Sequence, residues 1–131
     1  MKLNKKGFTL VELLAVIVVL AIIALIGFGA VGPIIEDSRR NSAVSTASNY
    51  ASKVSEECMR IWVNNGAKTL PSASEIDTSA TTNMTGTKPT GGSAAFTVGD
   101  NCAITWNTTG IKVNNYTCKR NSSDGSWTCT K

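Results

Sequence analysis

The reactive groups of this chain are four cysteines and one isolated carboxylate. Cys58, Cys102, Cys118 and Cys129 are separated by 44, 16 and 11 positions. They contain no Cys-x-x-Cys clip, and the chain has no histidine. A zinc site is therefore not expected. An even set of this kind points instead to disulfides, and to a compartment where they persist. Lack of histidine also removes Ser-His-Asp and Cys-His machinery. The acids Glu56, Glu57, Glu75, Asp77, Asp100 and Asp124 are scattered along the sequence. No catalytic residue, metal site or cofactor is expected from such a set, and the chain does not read as an enzyme.

The isolated carboxylate is Glu12. It stands at the start of an apolar run in which 19 positions, Leu13 to Val31, carry no charge and no strongly polar group. As a helix that run spans ~28 Å, close to the hydrocarbon thickness of a bilayer. A charge at mid-membrane costs ~2.5–3.5 kcal/mol, and less near an end, so Glu12 needs a partner. Lys2, Lys5 and Lys6 hold the N-terminus on the cytoplasmic side, which sends the rest of the chain outward. An ordinary secretory signal fits poorly: the run exceeds a usual h-region, no small-x-small site ends it cleanly, and Glu12 interrupts its start. No cysteine follows the run, which argues against a lipoprotein signal. Gly7, ahead of Phe8, has no side chain and leaves the backbone there open to close approach.

Behind Lys5-Lys6, the octad Gly7-Phe8-Thr9-Leu10-Val11-Glu12-Leu13-Leu14 resembles the class III signal sequence of type IV pilins and type II secretion pseudopilins. The close match covers residues 1–30. The resemblance implies that a membrane-embedded aspartyl peptidase cuts between Gly7 and Phe8 and that Phe8 is then N-methylated. The mature chain would keep 124 of the 131 residues, with Glu12 fifth. It also implies that Glu12, with Thr9 beside it, sets the axial register of assembly by pairing with the Phe8 amine of a neighbouring subunit. The alternative is that Glu12 snorkels to the headgroups. Many family members carry a single proline slightly earlier in the helix; here Gly27, Gly29 and Gly32 precede Pro33. Each glycine costs ~1 kcal/mol of helix propensity relative to alanine, and Pro33 removes an N–H, so a kink or local melting is expected. Close helix packing through the small residues is the competing reading.

The elements beyond the membrane must position the cysteines. Of the 28 residues from Phe8 to Ile35, 22 are apolar, against 31 of the 96 that follow. Such a polar body needs staples. Pro33, Glu36 and Asp37 suit a helix start, and the pairs Glu36–Arg39 and Glu36–Arg40 read as local ion pairs, or as bridges between subunits. Ala43, Ala47, Tyr50, Val54, Cys58 and Ile61 then recur at helical spacing, with Trp62 alongside. Asn64-Asn65-Gly66 offers a stop. Residues 64–95 hold 18 Ser, Thr, Gly or Asn in 32 positions and read as an exposed, semi-ordered loop, with a weak helix conceivable at Ser72–Asp77. Asn83, Asn107, Asn115 and Asn121 lie in Asn-x-Ser/Thr sequons, a pattern that arises readily in such a composition. Phe96–Val98, Cys102–Trp106, Ile111–Cys118 and Ser126–Thr130 read as strands.

The expected fold is thus α+β and pilin-like, one long N-terminal helix packed against a small antiparallel sheet. Its divisions are a leader at 1–7, a transmembrane or filament-core helix at 8–35, and an extracellular body at 36–131. That body comprises a helix at 36–63, a loop at 64–95 and a sheet at 96–131. Pairing 120 with 127 places Cys118 opposite Cys129, and Cys58 on the buried stripe then leaves Cys102 as its partner. The alternative, Cys102–Cys118 with Cys58–Cys129, stays open. A disulfide near the C-terminus resembles that of many type IV pilins.

The implied function is a structural subunit of a surface filament. Its partners would be further pilins in a homo-oligomer, a prepilin peptidase, the assembly machinery with its ATPase, and the membrane before assembly. The chain itself has no Walker motif. The alternative is a pseudopilin of a type II secretion or competence system. Against secretion, no acidic calcium loop is evident. Against DNA, the net charge of +4 falls to +1 without the three leader lysines. Lys112, Lys119, Arg120 and Lys131 could contact nucleic acid phosphates, although a solvated sheet edge is the simpler reading.

Overall fold

The computed structural model describes residues 7–131. Lys2, Lys5 and Lys6 lie outside the described residues. The chain divides into two compact units, one ending at Asp37 and the other spanning Ser38–Lys131. Helix α1 (Leu10–Asn64) contributes to both.

In the first unit, every described residue up to Ile35 is exposed. Phe8, Leu10 and Phe28 are each more than four-fifths exposed. A helix that is apolar on every side belongs in lipid or inside a bundle. Among the described residues, α1 is the helix long and apolar enough to cross a membrane. It stays helical through Gly27, Gly29, Gly32 and Pro33. No melted segment interrupts it there. A Cβ built on any of these three glycines would meet nothing within 4 Å, so no packing inside the chain uses them.

In the second unit, Ala43, Ala47, Tyr50, Val54 and Cys58 form the buried stripe that the helical spacing predicts. Ile61 and Trp62 pack half-buried against this core. The helix stops where Gly66 takes φ +67°, and the Ala67 N–H returns to the Trp62 carbonyl at 2.9 Å.

The stretch 64–95 departs from its expected character. It contains α2 (Ala73–Asn83), capped by the Ser72 hydroxyl, which accepts the Glu75 N–H at 3.2 Å. Ile76, Ala80 and Met84 are buried, one helical turn apart. Those three apolar residues supply enough tertiary contact to order a segment that its polar composition alone would leave loose.

Two antiparallel sheets complete the unit. Strands β1 (Phe96–Gly99) and β2 (Ala103–Trp106) form one; β3 (Ile111–Val113), β4 (Tyr116–Arg120) and β5 (Trp127–Thr130) form the other in that order. The run Ile111–Cys118, expected as one strand, is a hairpin folded at Asn114-Asn115, with Asn114 at φ +54°. Asparagine tolerates this left-handed conformation better than most residues. Cys102 ends a short 3₁₀ turn, Asp100–Cys102, where a strand start was expected. Trp106 sits among Tyr50, Phe96 and Trp127 at ring-centroid distances of 6.0, 5.2 and 5.0 Å. These tilted and edge-on rings join α1 to both sheets.

Candidate functional site

The N-terminal site is built on the first turn of α1. Gly7, Phe8 and Thr9 precede the helix and are exposed. Thr9 is its cap: the Thr9 N–H donates to Glu12 Oε2 at 3.0 Å, and the Glu12 N–H donates to Thr9 Oγ1 at 3.3 Å. The Thr9 hydroxyl also donates to Glu12 Oε2, at 3.2 Å. This is a reciprocal capping box, in which Thr-x-x-Glu satisfies two otherwise orphan donors. Within one chain, then, the Glu12 carboxylate already has a partner, its own Thr9. The signal was present in the sequence as Thr9-Leu10-Val11-Glu12, a pattern that also announces a helix start.

The cysteines come together in pairs: Cys58 bonds Cys102, and Cys118 bonds Cys129. The first bond fastens α1 to the turn before β2. The second lies across β4 and β5 at paired register positions, and Cys118 Sγ sits 3.9 Å from the Ala43 carbonyl of α1. No cysteine is free, and no cluster of His, Cys, Asp or Glu that could hold a metal occurs among the described residues.

A polar junction between α1 and α2 was not foreseen. Glu57 is buried, and its Oε2 accepts from Arg60 Nε at 2.8 Å and from the Ser79 hydroxyl at 2.6 Å. Its Oε1 accepts from Asn83 Nδ2 at 3.0 Å. Arg60 beside it, helped by Ser79 and Asn83, holds the carboxyl below the usual carboxylate range against the opposing effect of burial. Nearby, the Tyr50 hydroxyl donates a short hydrogen bond to Asp77. Burial first, and then the Asp77 carboxylate, push the Tyr50 phenol well above its ordinary value. Gly92 fits against this pair so closely that a Cβ there would collide with both the hydroxyl and the carboxylate. The signal for Glu57 lay in its spacing, seven residues after Tyr50 and three after Val54, which puts it on the buried stripe while Glu56 is exposed.

The remaining candidates are dispersed. Lys112 and Lys119 are exposed on β3 and β4, Arg120 is exposed at the end of β4, and Lys131 Nζ lies 5.9 Å from the Tyr116 ring centroid. Of the sequon asparagines, Asn83 spends its amide on Glu57, and Asn107 donates to the Ala94 carbonyl at 2.7 Å.

Residues 2–28 match a family model described as the prokaryotic N-terminal methylation motif. No curated protein and no solved structure matches the chain. The matched stretch contains the Gly7–Phe8 junction, the Thr9–Glu12 box and most of the apolar half of α1. This chain therefore carries the class III signal typical of type IV pilins and pseudopilins, on an α+β fold of one long helix with small antiparallel sheets.

Proposed function

We propose that the protein is a structural subunit of a type IV pilus-like filament. Prepilin peptidase would cut between Gly7 and Phe8 and methylate Phe8. The subunit would then wait in the membrane on the apolar part of α1 until the assembly machinery and its ATPase draw it into a filament with other copies. The observation that carries this reading is the exposure of all described residues up to Ile35 on a segment bearing the methylation motif. Some 22 apolar residues with no partner inside the chain require lipid, and afterwards equivalent helices.

In this reading Glu12 exchanges its cap contact with Thr9 for the Phe8 amine of a neighbouring subunit as that subunit docks. Residues 27–33 are where α1 would loosen in the filament. The motif's family is structural rather than catalytic, which suits a body stapled by two disulfides. The test is the N-terminal sequence of the chain recovered from surface fibres, which should begin at Phe8.

A further inference from the structure

A polar cleft of about 290 Å³ lies at the start of the second unit, lined by Arg39, Ser42, Asn114, Asn115, Tyr116 and Lys131. Two of these side chains are cations and none is a carboxylate. Arg39 is exposed and has no ion-pair or hydrogen-bond partner among the described residues. The Lys131 ammonium is held over the Tyr116 ring, 5.9 Å from its centroid, so the second charge is steadied at the cleft by a cation–π contact. Ser42 and Asn115 add neutral donors.

Chain connectivity limits how far Arg39 can lie from the apolar segment. Arg39 follows Ile35, the last residue of the apolar segment, by four positions. That is ~6 Å of helix, and at most ~14 Å of extended chain. The headgroup layer reaches roughly 5–8 Å beyond the hydrocarbon on each side. While the apolar segment spans the bilayer, Arg39 is therefore held by the chain within reach of the lipid phosphates. A guanidinium fork matches the geometry of a phosphodiester, and an ammonium adds a point charge beside it.

We propose that Arg39 and Lys131 form a site for the phosphodiester headgroup of an anionic phospholipid, occupied while the subunit waits in the membrane and vacated when it is extracted. This rests on the membrane-held subunit of the preceding section. The test uses the full chain in nanodiscs of equal phosphatidylglycerol and phosphatidylcholine, with native mass spectrometry counting the lipid that stays bound. The wild type should retain phosphatidylglycerol in preference. Arg39→Gln should lower that preference about fivefold, and Arg39→Gln with Lys131→Gln should abolish it, at the surface-charge effect usual for one basic residue each.

Lys68→Gln with Lys88→Gln, exposed cations outside the cleft, should change nothing. Equal retention of the two lipids by the wild type, or a preference that Arg39→Gln leaves undiminished, or one that survives loss of both Arg39 and Lys131, would overturn the proposal. So would saturable binding of inorganic phosphate in neutral detergent micelles, read at the Asn115 amide, without any lipid preference; that result marks a small-anion site. Entry into the discs is scored separately. A chain that fails to enter contradicts the membrane-held subunit, whereas one that enters without selecting phosphatidylglycerol contradicts the cleft alone.

Discussion

The Ser79 hydroxyl of α2 donates to the buried Glu57 carboxylate of α1 at 2.6 Å, and Asn83 reaches the other carboxylate oxygen at 3.0 Å. Glu57 thereby anchors α2, whose own apolar contribution is only Ile76, Ala80 and the flanking Met84. Hydrogen bonds to a charged group contribute ~1.5–3 kcal/mol each, without simple additivity. Glu57→Ala in a Ser38–Lys131 fragment should accordingly cost about 2–4 kcal/mol. Because Arg60 lowers the Glu57 pKa, its contribution is present above the unfolded carboxylate pKa and is lost as pH falls through the folded one. Urea unfolding at neutral and acid pH should show the wild type converging on Glu57→Gln as acid removes this term.

Tyr50 has the opposite sign. Its raised pKa keeps the phenol neutral in the folded state, so its contribution is complete below the ordinary tyrosine pKa and declines above it, as the unfolded chain ionises first. Tyr50→Phe should weaken the fold at neutral pH by about 1–2 kcal/mol, through the lost bond to Asp77. It should also flatten the stability profile above about pH 10 relative to wild type. Unfolding midpoints measured from neutral to alkaline pH check both parts; parallel profiles would contradict the second.

Both disulfides should be needed for the body. Cys58–Cys102 closes a separation of 44 residues and Cys118–Cys129 one of 11, worth ~4 and ~3 kcal/mol in the chain-entropy model. Reduction should unfold the fragment or lower its melting temperature sharply. Peptide mapping without reductant should find the two named linkages and no free thiol.

Much of the fold is legible in the residues themselves. Ala43, Ala47, Tyr50, Val54 and Cys58 declare their helix face by spacing, and Cys118 meets Cys129 because two strands joined by a short turn fix their register. Only the start of α2 is legible, as a weak helix at Ser72–Asp77; its length is hidden because Ile76 and Ala80 are diluted among Ser and Thr, and only the core they reach makes their spacing meaningful. The hairpin at Asn114-Asn115 is hidden because a two-residue turn of asparagines interrupts an otherwise strand-like run. Glu57 is hidden for a different reason. Its spacing, three residues after Val54 and seven after Tyr50, puts it on the buried stripe, but an acid there is not expected until Ser79 and Asn83 arrive to satisfy it. At the N-terminus the apolar run and the Gly7–Phe8 junction stand out at once. The Thr9–Glu12 box was readable too, but a charge amid apolar residues draws attention to a distant partner before a near one.

The box separates the cap formed by Glu12 from the register role proposed for it. Glu12→Val removes both the cap and the charge, whereas Glu12→Gln keeps an acceptor for the Thr9 N–H and removes only the charge. Both variants should still be cleaved, and both should yield little or no fibre, because a neighbouring Phe8 amine would be left unpaired in a low-dielectric core at a cost of several kcal/mol. Processed subunit and sheared fibre are measured in the same cells. Abundant fibre from Glu12→Gln would assign Glu12 to capping alone.

The most direct test is the N-terminus of the chain found in sheared surface fibres, read by sequencing and intact mass. That chain should begin with N-methylated Phe8. A variant with a bulky residue in place of Gly7 should accumulate uncut and be missing from the fibre fraction. Fibres containing the chain with Met1–Gly7 still attached, or normal processing to Phe8 in that Gly7 variant, would contradict the proposed function.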